Sequence, residues 1–449
     1  MTALSIRLLA CAAGLVASPS MAETAVSRWT LPSYVQAVLQ VSPDYMGDQQ
    51  RLAAALSQWK GQLAAQWLPT LAATGQTYPY GNDPTEGYAF KHGRADVADM
   101  GLATTANWNL FNSFSDHLKT RQSSLAKRTS AETLETTRQS VALSAMRAFY
   151  DLGLQDRLLE VAKENLKALG EQYRTTQNLY QQGIKSLSDQ LKSETDLRSS
   201  EERLAAAEGQ RRDALLQFNL LLDAPLDGAQ TLEIGSDLET TALPILSEGE
   251  QEAVARRPEI QRARTAVESG EISVDQARQQ GLPQGTVDFS YNRFDNGSSV
   301  GTVPIPGGAL AAYASVPPNY QLAVKLALPF GFNGVSQYEA VSAAGAAAKA
   351  AVHDFDVVHR QVFMEVHSAY ISLDQAIAIH GIATRKEGIA QRTLQLVNQQ
   401  YRSGSADVIR LGEAQLDFLN ARVERAQALR DARVARAQYL LATGAPLWK

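Results

Sequence analysis

The chain is 449 residues long, with a formal net charge of −5 and charged side chains at 20% of its positions. That length predicts two or three ordinary domains, and a mildly acidic balance supplies no electrostatic footprint for nucleic acid. One cysteine and six histidines (His92, His117, His353, His359, His367 and His380) make no i, i+4 histidine pair and no H-E-x-x-H, so no metal centre, cofactor or enzyme activity is expected.

Residues 1–22 carry Arg7, an apolar run from Leu8 to Val16, and Ser18-Pro19-Ser20-Met21-Ala22. A basic start, a short apolar core and small residues at the cut read as a secretory signal peptide. The run falls short of the roughly 18 residues a membrane-crossing helix needs. Leu8-Leu9-Ala10-Cys11 loosely resembles a lipoprotein box, but a cut there would leave almost no apolar core, so lipidation at Cys11 is not expected. Removal of the leader makes the mature chain thiol-free and one unit more acidic. No second long apolar stretch follows Ala22, so any membrane portion must be built of β-strands.

Residues 23–226 read as a first structural repeat. A helical stretch from about Ala53 to Trp67 leads into a weakly alternating run at 71–80. After the turn-rich segment Gly81 to Gly87 comes a second run, 100–111, in which Leu102, Thr104, Ala106, Trp108 and Leu110 share one side. Strands of about ten residues have the length that a tilted outer-membrane strand requires. From Asn112 to Gly183 there is no proline, and Val141, Ala145, Ala148, Leu152, Leu159, Ala162, Leu166 and Leu169 follow a seven-residue repeat interrupted by Gln155. A helix over about 112–182 is expected, extending roughly 107 Å if continuous. No globular domain is that wide, so the helix needs coiled-coil partners. Gly183 turns the chain into a return helix, 184–222, about half as long.

Residues 227–248, of mixed composition and containing Pro244, read as an equatorial linker outside the helical wall. The second repeat, 249–449, follows the same order. A helix from Glu259 to Gln279 precedes a strand at 285–294, where Val287, Phe289 and Tyr291 oppose Asp288, Ser290 and Asn292. A Gly- and Pro-rich loop leads to a strand at 320–330, where Leu322, Val324, Leu326 and Leu328 oppose Gln321, Ala323 and Lys325. A long helix, 334–403, and a return helix, 405–441, complete it.

The two repeats align without a gap at an offset of 221 residues. Tyr180-x-x-Gly183 meets Tyr401-x-x-Gly404, Asp196 meets Asp417, and Ala224-Pro225-Leu226 meets Ala445-Pro446-Leu447. Phe111-Asn112 likewise meets Phe332-Asn333. A register held from Phe111 to Leu226 marks one structural unit built twice. Four strands cannot close a membrane barrel, whose smallest members have about eight, and open edges in lipid are not tolerated. Several chains must therefore contribute strands, unless the strands form soluble hairpins packed on helices.

The signal peptide, the duplicated strand-strand-helix order, the two Tyr-x-x-Gly turns, Arg257-Pro258-Glu259 and Phe332-Asn333-Gly334 together resemble the TolC-type outer-membrane efflux proteins over essentially the whole mature chain. The resemblance implies a mainly α fold with a membrane β-barrel portion, twelve-stranded as a homotrimer, set in outer-membrane lipid with a large periplasmic helical part. It also implies an exit duct of a tripartite efflux pump or type I secretion system, working with a periplasmic adaptor protein and an inner-membrane pump. The turns at Gly183 and Gly404 would form the periplasmic tip and the adaptor contact. By position, Tyr401, Asp189 and Glu413 become gate candidates. Arg410 departs from the family pattern, because an acidic residue is common there; it either latches the tip by pairing with Asp189 or Asp407, or stands as a solvated arginine. The competing reading is a periplasmic coiled-coil scaffold or adaptor protein, which accounts for the heptads but not for two matched strand pairs.

Overall fold

The computed structural model describes residues 28–78, 99–233, 243–280, 282–295, 302–304, 310–312, 319–327, 334–403 and 405–446. The expected signal peptide with Cys11, the Gly81 to Gly87 loop, Phe332-Asn333 and Gly404 lie outside the described residues.

A short strand β1 (Arg28–Trp29) precedes helices α1 (Leu31–Val41) and α2 (Pro43–Trp67). Thr30 caps α1 by accepting the Ser33 amide, and Ser42 both ends α1 and caps α2, with Pro43 in the first turn. A proline there loses no hydrogen bond, because that amide would be unpaired anyway. This cap sets the start of α2 ten residues before the expected Ala53. Strands β2 (Thr70–Tyr78) and β3 (Asp99–Phe111) follow, then α3 (Ser115–Gln181), about 100 Å long at 1.5 Å per residue. Ser113 and Phe114 adopt left-handed backbone between β3 and α3, and Ser113 Oγ donates to Pro283 O at 2.6 Å. That joint starts the helix at Ser115 rather than at Asn112.

Helix α4 (Leu187–Leu221) returns along α3, and β4 (Thr231–Leu232) pairs in parallel with β1. Helix α5 (Leu246–Arg256) begins inside the segment expected to be linker, and α6 (Pro258–Gln279) follows, again with proline in its first turn. The second half continues with β5 (Gln284–Asp295), a small hairpin of β6 (Thr302–Pro304) and β7 (Leu310–Ala312), β8 (Asn319–Ala327), α7 (Gly334–Arg402) and α8 (Val408–Thr443).

The four long strands form one antiparallel sheet in the order β2-β3-β5-β8, so a strand from each half meets at the centre. The helices have a matching order. On the sheet side α2, α3, α6 and α7 pack in sequence, and on the tip side α4, α3, α8 and α7 do. Where the two levels meet, Tyr34 stacks on Phe218 with ring centroids 3.9 Å apart and donates its hydroxyl to Phe218 O at 3.0 Å, with Phe149 beside them. The equivalent junction of the second half reverses the sizes. Tyr439, at the 221-residue offset from Phe218, fills space left by Gly249, where an added Cβ would collide with the Tyr439 hydroxyl. Arg257, buried between α5 and α6, ties this level together through Glu259 at 2.9 Å, Glu365 of α7 at 2.7 Å and the Ala442 carbonyl of α8 at 3.3 Å.

Candidate functional site

The sheet has two chemically different faces because side chains alternate along each strand. Register places Leu71 opposite Ala106, Ala106 opposite Phe289 and Phe289 opposite Leu322, so one face carries an apolar layer across all four strands. Trp108, Val287 and Val324 extend that layer by one row. Leu71, Trp108, Phe289, Leu322 and Val324 of this layer are exposed, and Ala106 and Val287 are half-buried. The other face carries Thr70, Asn107, Asp288 and Ala323 in one row. There the Asn107 amide donates to Asp288, and Lys325 meets the second Asp288 oxygen at 2.8 Å.

At the opposite end of the helices, Gly183 has φ +73° and an added Cβ would find no neighbour within 4 Å. Glycine suits this helix end because the left-handed backbone carries no Cβ penalty. The Ser186 hydroxyl accepts the Asp189 amide and the Asp189 carboxylate accepts the Ser186 amide, which closes a reciprocal cap on α4. At the 221-residue offset Asp407 replaces Ser186 and Arg410 replaces Asp189. Asp407 caps α8 by accepting the Arg410 amide at 2.8 Å. Among the described residues the Arg410 side chain makes no ion pair within the chain, and Glu413 is exposed without a charged partner. Tyr401 packs beside Val397, Leu411 and Ala414, with the Lys185 ammonium 4.9 Å from its ring centre. The tips of the two helical hairpins therefore touch through Lys185 and Tyr401, while among the described residues no side chain of Asp189, Asp407, Arg410 or Glu413 bonds to the side chain of another of the four.

The core of the two hairpin tips differs. In the second it is apolar: Val397, Leu411 and Ala414 are buried together. The equivalent positions in the first are Thr176, Gln190 and Ser193. The Thr176 hydroxyl, Gln190 Oε1, Asp196 Oδ2, Gln400 Oε1 and the Tyr401 hydroxyl are all buried without a hydrogen-bond partner among the described residues. Gln415 of α8 donates to Gln172 of α3 at 2.7 Å across the same seam.

The family profile described as outer membrane efflux protein matches residues 34–223 and 250–445, one segment in each repeat. The chain belongs to the outer membrane efflux protein family. The fold of this efflux protein is similar to a solved structure of CusC, with 16% identity, a TM-score of 0.75, and coverage of 93% of this chain and 92% of that one. It is similar too to the CmeC outer membrane channel of Campylobacter jejuni, at 17% identity and a TM-score of 0.72, covering 92% and 85% of the two chains. The MtrE outer membrane channel of Neisseria gonorrhoeae gives 16% identity, a TM-score of 0.71, and 93% and 89% coverage. At these identities the likeness is one of fold. No curated protein matches by sequence. No helix among the described residues is long and apolar enough to cross a membrane.

Alternation in the sequence of this efflux protein puts Asp288 and Lys325 on the polar side of their strands but does not set them against each other. Pairing needs the register of β5 with β8, which alternation does not specify. Lys185 carries no local sequence signal of its contact, because it reaches Tyr401 only where the two hairpins pack side by side.

Proposed function

We propose that several copies of this efflux protein, three by family resemblance, close into one passive exit duct. The observation that carries the reading is the pair of open edges. The sheet ends at β2 and β8, and the helical layer ends on the same sides, at α2 and α4 on one and α7 on the other. The outer side of α7 carries Val357, Met364 and Ile371, then Ile382, Ile389 and Leu396, each set seven residues apart and exposed, with Met364 at 72%. Such a seam belongs against another helix. A β8 and α7 edge placed on the β2, α2 and α4 edge of the next copy is a head-to-tail contact that closes into a ring. An apolar outer face and a polar inner face then suit lipid outside and water inside.

In this reading the apolar sheet face sits in outer-membrane lipid and the helices reach into the periplasm. Gly183 and Gly404 mark the tip that meets a periplasmic adaptor protein, with an inner-membrane pump of a tripartite efflux or type I secretion system beyond it. Tyr401, Asp189, Asp407, Arg410 and Glu413 are the gate candidates, repeated around the pore axis where rings of charge select ions. Purified protein in a planar bilayer tests the reading, with heat-sensitive oligomer mobility measured beside it. Discrete channels from an oligomer are expected. A monomer that conducts nothing would refute the duct and favour a scaffold. Arg410→Ser is expected to alter single-channel conductance if Arg410 latches the tip, and unchanged conductance would dismiss the latch.

A further inference from the structure

We propose that Asp288 and Lys325 form a charge-compensated ring at the helix-side mouth of the barrel, and that this pair sets the ion selectivity of that mouth. The inference rests on the multi-chain barrel proposed above. Of the polar-face positions whose side chains the structure describes, Asp288 and Lys325 alone are charged; the others on β2, β3, β5 and β8 are Thr, Ala, Asn, Ser or Gln. Asp288 stands near the start of β5, which follows α6, and Lys325 near the end of β8, which precedes α7. Both therefore lie at the end of the sheet that opens toward the helices.

The two partners are held differently. Asp288 is flanked by Asn107 and Lys325, one on each of its oxygens, and its side chain is 24% exposed. Lys325 is 66% exposed and makes its ion pair at 2.8 Å from the end of a four-carbon stem. The carboxylate is the fixed member and the ammonium the movable one. An exposed pair of this kind is weakly held, so Lys325 can leave Asp288 to meet a passing anion while Asp288 meets a passing cation. With both present the mouth has no net sign. With one removed, every copy in the ring contributes the same uncompensated charge, and a ring of like charge selects counter-ions.

Reversal potentials of single channels in a potassium chloride gradient test this. Lys325→Met is expected to raise the potassium-to-chloride permeability ratio several-fold, Asp288→Asn to lower it several-fold, and the double variant to return to the wild-type value. Unchanged ratios in both single variants would overturn the proposal. A wild-type protein that forms no channel would instead overturn the duct itself. A Lys325→Cys channel guards against folding defects, because it can be modified in place. A cationic thiol reagent is expected to move its ratio back toward wild type, and a neutral reagent of the same size is not. Equal effects of the two reagents would assign the position to pore size and refute the charge ring.

Discussion

Thr176 is 0% exposed and its hydroxyl has no partner among the described residues. The duplicated position is Val397, 3% exposed in an apolar cluster with Leu411 and Ala414. Thr176→Val keeps the shape of the side chain and removes a polar atom that was desolvated without compensation, which is worth about 1 to 3 kcal/mol. The gain is local, because Thr176 lies near one end of α3, a helix about 100 Å long. It should be read as slower amide hydrogen exchange in residues 169–193, by roughly fivefold to 150-fold, since exchange through local opening follows its free energy. Val397→Thr should speed exchange in residues 390–414 by a similar factor. Mass-spectrometric exchange on the assembled protein measures both without requiring reversible unfolding. Exchange at 169–193 that is unchanged or faster in Thr176→Val would refute the argument, because it would mean that the hydroxyl is satisfied or that the seam does not limit opening.

Gly249→Ala should destabilise the junction by about 1 to 3 kcal/mol through overpacking, since its Cβ would strike the Tyr439 hydroxyl and lie 3.2 Å from Thr443 Cγ2. The thermal dissociation temperature should fall, and adding Tyr439→Phe should recover part of the loss. Tyr34→Phe should cost about 1 to 2 kcal/mol, because the Phe218 carbonyl loses the hydroxyl that donates to it while the stacked rings stay in place; denaturant midpoints measure this. The Thr137 hydroxyl, and after it Arg51, hold the buried Asp48 carboxyl below the usual carboxylate range. A depressed folded-state value contributes stability above the unfolded-state value of about 3.9 and loses it as pH falls through the folded one. Melting between pH 2 and 5 should therefore show a steeper acid loss in wild type than in Asp48→Asn.

Alternation along Leu322, Val324 and Leu326, the proline-free heptads from Asn112 to Gly183, and the offset of 221 residues were all local or repeated features of the chain. They determined strand faces, helix runs and the duplication, because side-chain period follows directly from backbone geometry. The Arg257-Pro258-Glu259 run was equally visible, at the head of the helix expected from Glu259. That Arg257 also grips Glu365 and the Ala442 carbonyl depended on α6, α7 and α8 converging, with partners 108 and 185 residues away. Caps such as Ser42 and Asp407 were present as residue types, but their use was settled by backbone that turns at those points. Tertiary structure alone decided that β3 pairs with β5, that Lys325 finds Asp288, and that Gly249 accommodates Tyr439 where the first half pairs Tyr34 with Phe218. Register between distant strands and complementary size across a junction are properties of two segments at once. A periodicity read along one segment carries no information about them.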